Sequence, residues 1–139
     1  MDNQPQWQPI SMLPVFTDMI DGMLEASQEQ LANLQLVREK PHVMDDATLQ
    51  RMVGLYSNQL EDQWLFEEQF SRWLRENLKP DETREVERLM AQAAKLKASN
   101  EQILHIADHI RHSTIDSILG MDESELMEAL ASGKLKLPI

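Results

Sequence analysis

The stretch DDATLQRMVGLYSNQLEDQWLFEEQFSRWLRENL, residues 45–78, decides the fold. At about 100° per residue its apolar side chains recur every three to four positions, which is the period of an α-helix. Met52, Val53, Tyr56, Leu60, Trp64, Phe66, Phe70, Trp73 and Leu74 make up the apolar set. That stripe is wider than a single neighbour needs, so the segment is expected to lie centrally between two other helices. Trp64 and Leu65 fall toward its edge and outer side. The expected cover there is the C-terminal segment or a second copy of the chain. Asp45 or Asp46 serves as N-cap, and the helix is expected to run toward Leu78.

Prolines mark the breaks on either side. Pro41 biases the preceding residue away from helical geometry, and Pro80 does the same after Leu78. Before Pro41 a first helix is expected to open at Ser11 as N-cap, with Pro14 tolerated in its first turn. Met12, Phe16, Met19, Ile20, Met23, Leu31 and Leu34 share its core face, with Val37 at the edge. Asp18, Asp21, Glu25 and Glu29 share the opposite face and read as a solvated surface. After Pro80 a third helix is expected, capped by Asp81 or Thr83, with acids in its first turn to suit the helix dipole. Its core face reads Val86, Leu89, Ala93, Leu96, Ile103, Leu104, Ala107, Ile110 and Ile118, and Gly120 is expected to stop it. A short helix from Asp122 to about Ser132 follows, and KLKLPI at the end reads as a docked extended tail.

Connections at 40–45 and 79–82 are short, which forces sequential helices to run antiparallel. The expected architecture is all-α: a long up-down-up three-helix antiparallel bundle with a short C-terminal helix and an extended tail. Residues 1–10 are read as a flexible leader, 11–120 as the bundle, and 121–139 as an appendage of the same domain. At 139 residues the chain is the size of one domain and can bury a core without staples.

Several polar residues break the apolar pattern. Gln59, Gln63 and Glu67 project into the stripe of the second helix, Asn100 into that of the third and Ser27 into that of the first. Antiparallel pairing about the two connections brings Ser27, Gln59 and Asn100 to one level. A hydrogen-bonded layer there would fix helix register at some cost in stability.

Composition narrows the function. The 13 basic residues against 24 acidic ones give a net charge of −11, which repels phosphate backbones and argues against nucleic-acid binding. With no cysteine, disulfides, thiolate metal sites and cysteine nucleophiles are excluded. The start MDNQPQWQPI lacks the basic residues and unbroken apolar run of a secretory signal. No stretch approaches the ~18 apolar residues of a membrane helix, so a cytoplasmic location is expected. Phosphate-loop, nucleophile-elbow and His-Glu-x-x-His motifs are absent, and no catalytic residue is expected.

One motif hints at chemistry. Glu101, His105, His109 and His112 follow at spacings of four, four and three, which stacks them on one helical stripe. Imidazole and carboxylate are ligands for a divalent transition metal, and His42 in the first connection is expected at the same end of the bundle as His112. The stripe projects opposite the core face, toward solvent or a partner. Inward ligation of the di-iron kind needs Glu-x-x-His pairs on two helices, and none of the predicted helices carries one.

The expected function is therefore protein–protein contact by a small acidic bundle, as a homodimer. The wide apolar surface of the second helix, nine methionines and the apolar tail Leu135, Leu137 and Ile139 motivate it. One alternative is a metal-binding or metal-sensing bundle built on His105, His109 and His112, with His42 and Glu101. A second is a dedicated chaperone for a hydrophobic client segment.

Overall fold

The computed structural model describes residues 5–112, 114 and 118–132. Their helices are α1 (Leu13–Val37), α2 (Asp46–Leu74), α3 (Pro80–Ile110) and α4 (Glu123–Ala131), with 3-10 turns at Ile10–Met12 and Pro41–Val43. The described residues form an all-α bundle without strands, and α1, α2 and α3 pack against each other. No described helix is long and apolar enough to cross a membrane. The read tail, residues 134–139, lies outside the described residues.

Each helix starts for a local reason. The Asp45 side chain accepts the Thr48 backbone N–H at 2.7 Å and caps α2; Asp122 accepts the Glu125 N–H at 2.7 Å and caps α4. For α3 the expected caps Asp81 and Thr83 are replaced by Lys79, which precedes Pro80 in the first helical position. Glu82 reaches back to the Lys79 N–H at 2.9 Å, as the acidic half of a capping box. Ser11 does not cap α1 either. It lies inside the Ile10–Met12 turn, which begins after extended Pro9.

Two apolar clusters fill the core. One joins Leu34 of α1, Leu49, Met52 and Tyr56 of α2, and Ile103, Ile106 and Ile110 of α3. The other joins Leu13 and Ile20 of α1, Phe70 and Trp73 of α2, and Val86, Leu89 and Ala93 of α3. The end of α1 thus meets the start of α2 and the end of α3, which is the up-down-up arrangement.

Between the clusters lies the polar layer. Asn100 and Ser27 are fully buried. The Ser27 hydroxyl lies 2.7 Å from Asn100 Oδ1 and 2.7 Å from Ser99 Oγ. Asn100 Oδ1 only accepts, so the single Ser27 proton goes there and Ser99 donates to Ser27. Asn100 Nδ2 donates to Gln59 Oε1 at 3.0 Å, which ties in α2. Gln63 donates to the Ala93 carbonyl at 2.8 Å one turn away, whereas Glu67 is exposed.

The central position belongs to α3, not to α2 as the wide stripe suggested. Backbones approach closely between α3 and both partners, while α1 and α2 meet through long side chains. Ala93, Ser99 and Ala107 on α3 are small enough for that approach. Between α1 and α2, Phe16 fills the gap edge-on to Phe66, Phe70 and Trp73, with centroids at 6.2, 6.2 and 5.0 Å. Leu13, Leu24, Leu49 and Ile106 join the core in addition to the residues read from the pattern, while Met19 sits at its edge.

Residues 5–9, read as part of a flexible leader, lie against α2. Gln8 N–H donates to Gln69 Oε1 at 2.7 Å, and its carbonyl accepts from Gln69 Nε2 at 3.3 Å and from the Trp73 indole at 2.9 Å. Trp7 stands edge-on to Trp64 at 6.3 Å and carries the Arg72 guanidinium 4.3 Å from its centroid. So the edge of α2 at Trp64 is shielded by the N-terminal segment among the described residues. Trp64 still remains 52% exposed.

Helix α3 also ends earlier than the pattern implied, at Ile110 and not at Gly120. Thr114 turns inward, fully buried, and its hydroxyl donates to the Asp46 carboxylate at the start of α2. Threonine hydroxyls compete with helical backbone bonds, and this one is engaged across the bundle. The Ile118 N–H bonds to the Thr114 carbonyl at 3.0 Å, and Ile118 and Leu119 are helical beyond the end of α3.

Asp21, read as solvated, is an ion-pair partner. Arg88 of α3 holds it with two bonds of 2.8 and 3.1 Å and also binds Glu85, which accepts the Thr17 hydroxyl at 2.6 Å. Hydrogen bonds from Arg88 hold both carboxyls below the usual carboxylate range, and the guanidinium is pushed up in turn.

Two stability measurements follow. Asn100→Ala removes the amide that bonds both Ser27 and Gln59, leaving Ser27 only its Ser99 contact, and is expected to cost about 2 kcal/mol, read as a lower urea midpoint at unchanged slope. Ser27→Ala with Asn100→Leu should recover part of that loss, because fewer polar groups remain buried and unpaired. Arg88→Ala is expected to cost no more than about 1 kcal/mol at neutral pH, because these groups are part-exposed and screened. The depressed carboxyls contribute stability above their unfolded values near pH 4, lost as pH falls through the lower folded values. Wild type and Arg88→Ala should therefore converge on acidification and in high salt.

Candidate functional site

Among the described residues a groove opens between α2 and α3, at the end of the bundle where Thr114 meets Asp46. Its volume is about 690 Å³. Leu49, Val53, Gly54 and Ser57 of α2 face Leu104 and Ala107 of α3, and the rim carries Asp46, Asp108, Arg111 and His112. The floor is apolar because Leu49 and Ala107 belong to the core cluster that Leu34 of α1 joins, with Val53 and Leu104 beside them at the edges of the two apolar stripes. Val53 is 37% exposed there. A Cβ built on Gly54 meets nothing within 4 Å, so the chain's own packing does not require a glycine.

The histidine stripe flanks this groove on α3. His105 and His109 are exposed, with their Nε2 atoms 3.2 Å apart and their rings edge-to-face at 4.6 Å. Glu101 lies one turn earlier and pairs with Lys97 at 3.9 Å. His112 turns onto the groove rim and accepts from Arg111 Nε at 3.2 Å, while Arg111 also pairs with Asp108 at 3.3 Å. His42 lies in the 3-10 turn between α1 and α2, half-buried. Its two ring nitrogens are buried and have no hydrogen-bond partner among the described residues.

The five residues singled out as metal ligands are therefore not gathered at one point. Only His105 and His109 meet, and among the described residues no group of three or more His, Asp or Glu side chains is placed to hold an ion. The i, i+4 spacing of a helix brings that pair together without help from any other element. Joining His42 or His112 to it would need the ends of two elements to converge, and spacing along the chain does not determine that.

The groove escaped the sequence reading because Val53 and Leu104 read as core. A signal was available. Gly54 sits mid-helix beside Val53 and Leu55, where glycine costs about 1 kcal/mol relative to alanine. No family model, curated protein or solved structure matches this chain.

Proposed function

We propose that this protein works through protein–protein contact, pairing with a second copy of itself through the groove between α2 and α3. The observation that carries the reading is the apolar floor at Val53, Gly54 and Leu104 inside a rim of mixed charge. A two-fold interface sets each patch against itself, so Asp46 and Asp108 of one copy can meet Arg111 of the other. A purely acidic rim would instead favour a basic partner. A backbone closely apposed to Gly54 would give that glycine a purpose that folding alone does not.

In this reading the protein is a non-catalytic cytoplasmic adaptor or structural component, without nucleic-acid or membrane partners. Its net charge of −11 keeps the surface away from phosphate and in solution. The exposed apolar residues Val15, Leu36, Leu55 and Met127 are scattered over several segments, and isolated residues of that kind are ordinary surface. The groove is where apolar side chains from two helices converge.

Light scattering at micromolar concentration should give twice the 16.1 kDa chain mass. Val53→Glu should shift the protein to monomer while leaving its circular dichroism unchanged. Gly54→Ala should raise monomer stability by about 0.5–1 kcal/mol and weaken pairing. A wild-type monomer at that concentration sinks the proposal.

A further inference from the structure

We infer that His105 and His109 form a two-histidine chelate for a divalent transition metal, zinc above all, on the exposed face of α3. The nitrogen–nitrogen separation is already in place. Two imidazole nitrogens bound to zinc at about 2.0–2.1 Å, with a tetrahedral angle between them, stand about 3.3 Å apart. A right-angled geometry at the same bond lengths requires about 2.9 Å. The observed Nε2–Nε2 distance is 3.2 Å, on the tetrahedral side.

Without metal, the contact is a hydrogen bond in which one Nε2–H donates to the other Nε2. Two exposed rings gain little from such a bond against water. Metal binding needs both Nε2 lone pairs, so the donating ring moves its proton to Nδ1 through solvent. The two nitrogens already stand at a chelating separation, and rotation of the exposed rings about their side-chain bonds aims both lone pairs at one ion beside the N–N axis.

Neighbouring charges do not oppose a cation. Lys97 is drawn to Glu101, and Arg111 to Asp108 and His112. The chain as a whole carries −11. Because no third carboxylate or imidazole joins the pair among the described residues, water completes the coordination and the site stays open to an incoming ligand. The pair is separate from the groove floor, so this inference does not rest on self-association.

Calorimetric titration of zinc chloride into the full chain, in a non-coordinating buffer, tests it. One ion per chain is expected, with His105→Ala and His109→Ala each weakening binding at least tenfold and His112→Ala changing it less than twofold. One ion per two chains also supports the pair, with a second copy's histidines in the water positions. Absence of zinc-dependent heat overturns the chelate, as does affinity that survives both His105→Ala and His109→Ala. A loss in His112→Ala equal to that in His109→Ala overturns the two-residue assignment. All three positions are exposed, and unchanged circular dichroism confirms that the variants fold. Zinc binding retained in Val53→Glu separates this site from the groove.

Discussion

The rest of the bundle is registered on Asn100. It is fully buried, and its amide touches one residue on each of the other two long helices, Ser27 through its oxygen and Gln59 through its nitrogen. A buried amide left unpaired costs about 1–3 kcal/mol, so sliding any helix by a turn breaks the layer with nothing to replace it. Apolar packing alone is more tolerant, because leucine and isoleucine accept several neighbours of similar volume. The two apolar clusters supply most of the burial, and the layer between them selects one alignment. Gln63, bonded to the Ala93 carbonyl, reinforces that alignment a turn further along α2.

This layer was legible in the sequence for a physical reason. Helical period and two short proline-bounded connections give both the direction of each helix and its approximate height, so three polar residues on apolar stripes could be placed at one level. Ser99 was not, since its position beside Asn100 points off the centre of the stripe and depends on how closely α1 approaches α3. The same limit explains the misplaced centre of the bundle. Stripe width measures how much apolar surface a helix offers, whereas backbone proximity depends on residue size. Large aromatics hold α2 away from α1, and alanine and serine let α3 approach both.

Helix ends were legible where a side chain acts on its own helix, as at Asp45 and Asp122. They were not where a tertiary bond wins. Thr114 continues a helical apolar pattern on paper, through Ile118, yet its hydroxyl binds Asp46 across the bundle and α3 stops at Ile110. The docked segment around Gln8 is a similar case. A stretch with prolines and glutamines reads as solvated, but its backbone satisfies the Trp73 indole and the Gln69 amide, which would otherwise be buried without partners.

These two tertiary closures lie at opposite ends of α2, one at Asp46 and one at Gln69 and Trp73. Among the described residues the interior is filled by aromatic rings at one end, aliphatic side chains at the other and a hydrogen-bonded amide layer between, and the His42 ring at the α1–α2 connection is the side chain whose buried nitrogens lack a partner. The carboxylate closest to the core in sequence terms, Glu67, faces solvent. The exposed histidine pair and the groove against α2 both lie on α3. The Thr114–Asp46 bond lies at the same end of the bundle as that groove, whose lining includes Asp46. The groove and the histidine pair thus share one origin, a helix central to the bundle that α1 and α2 cannot enclose on every side.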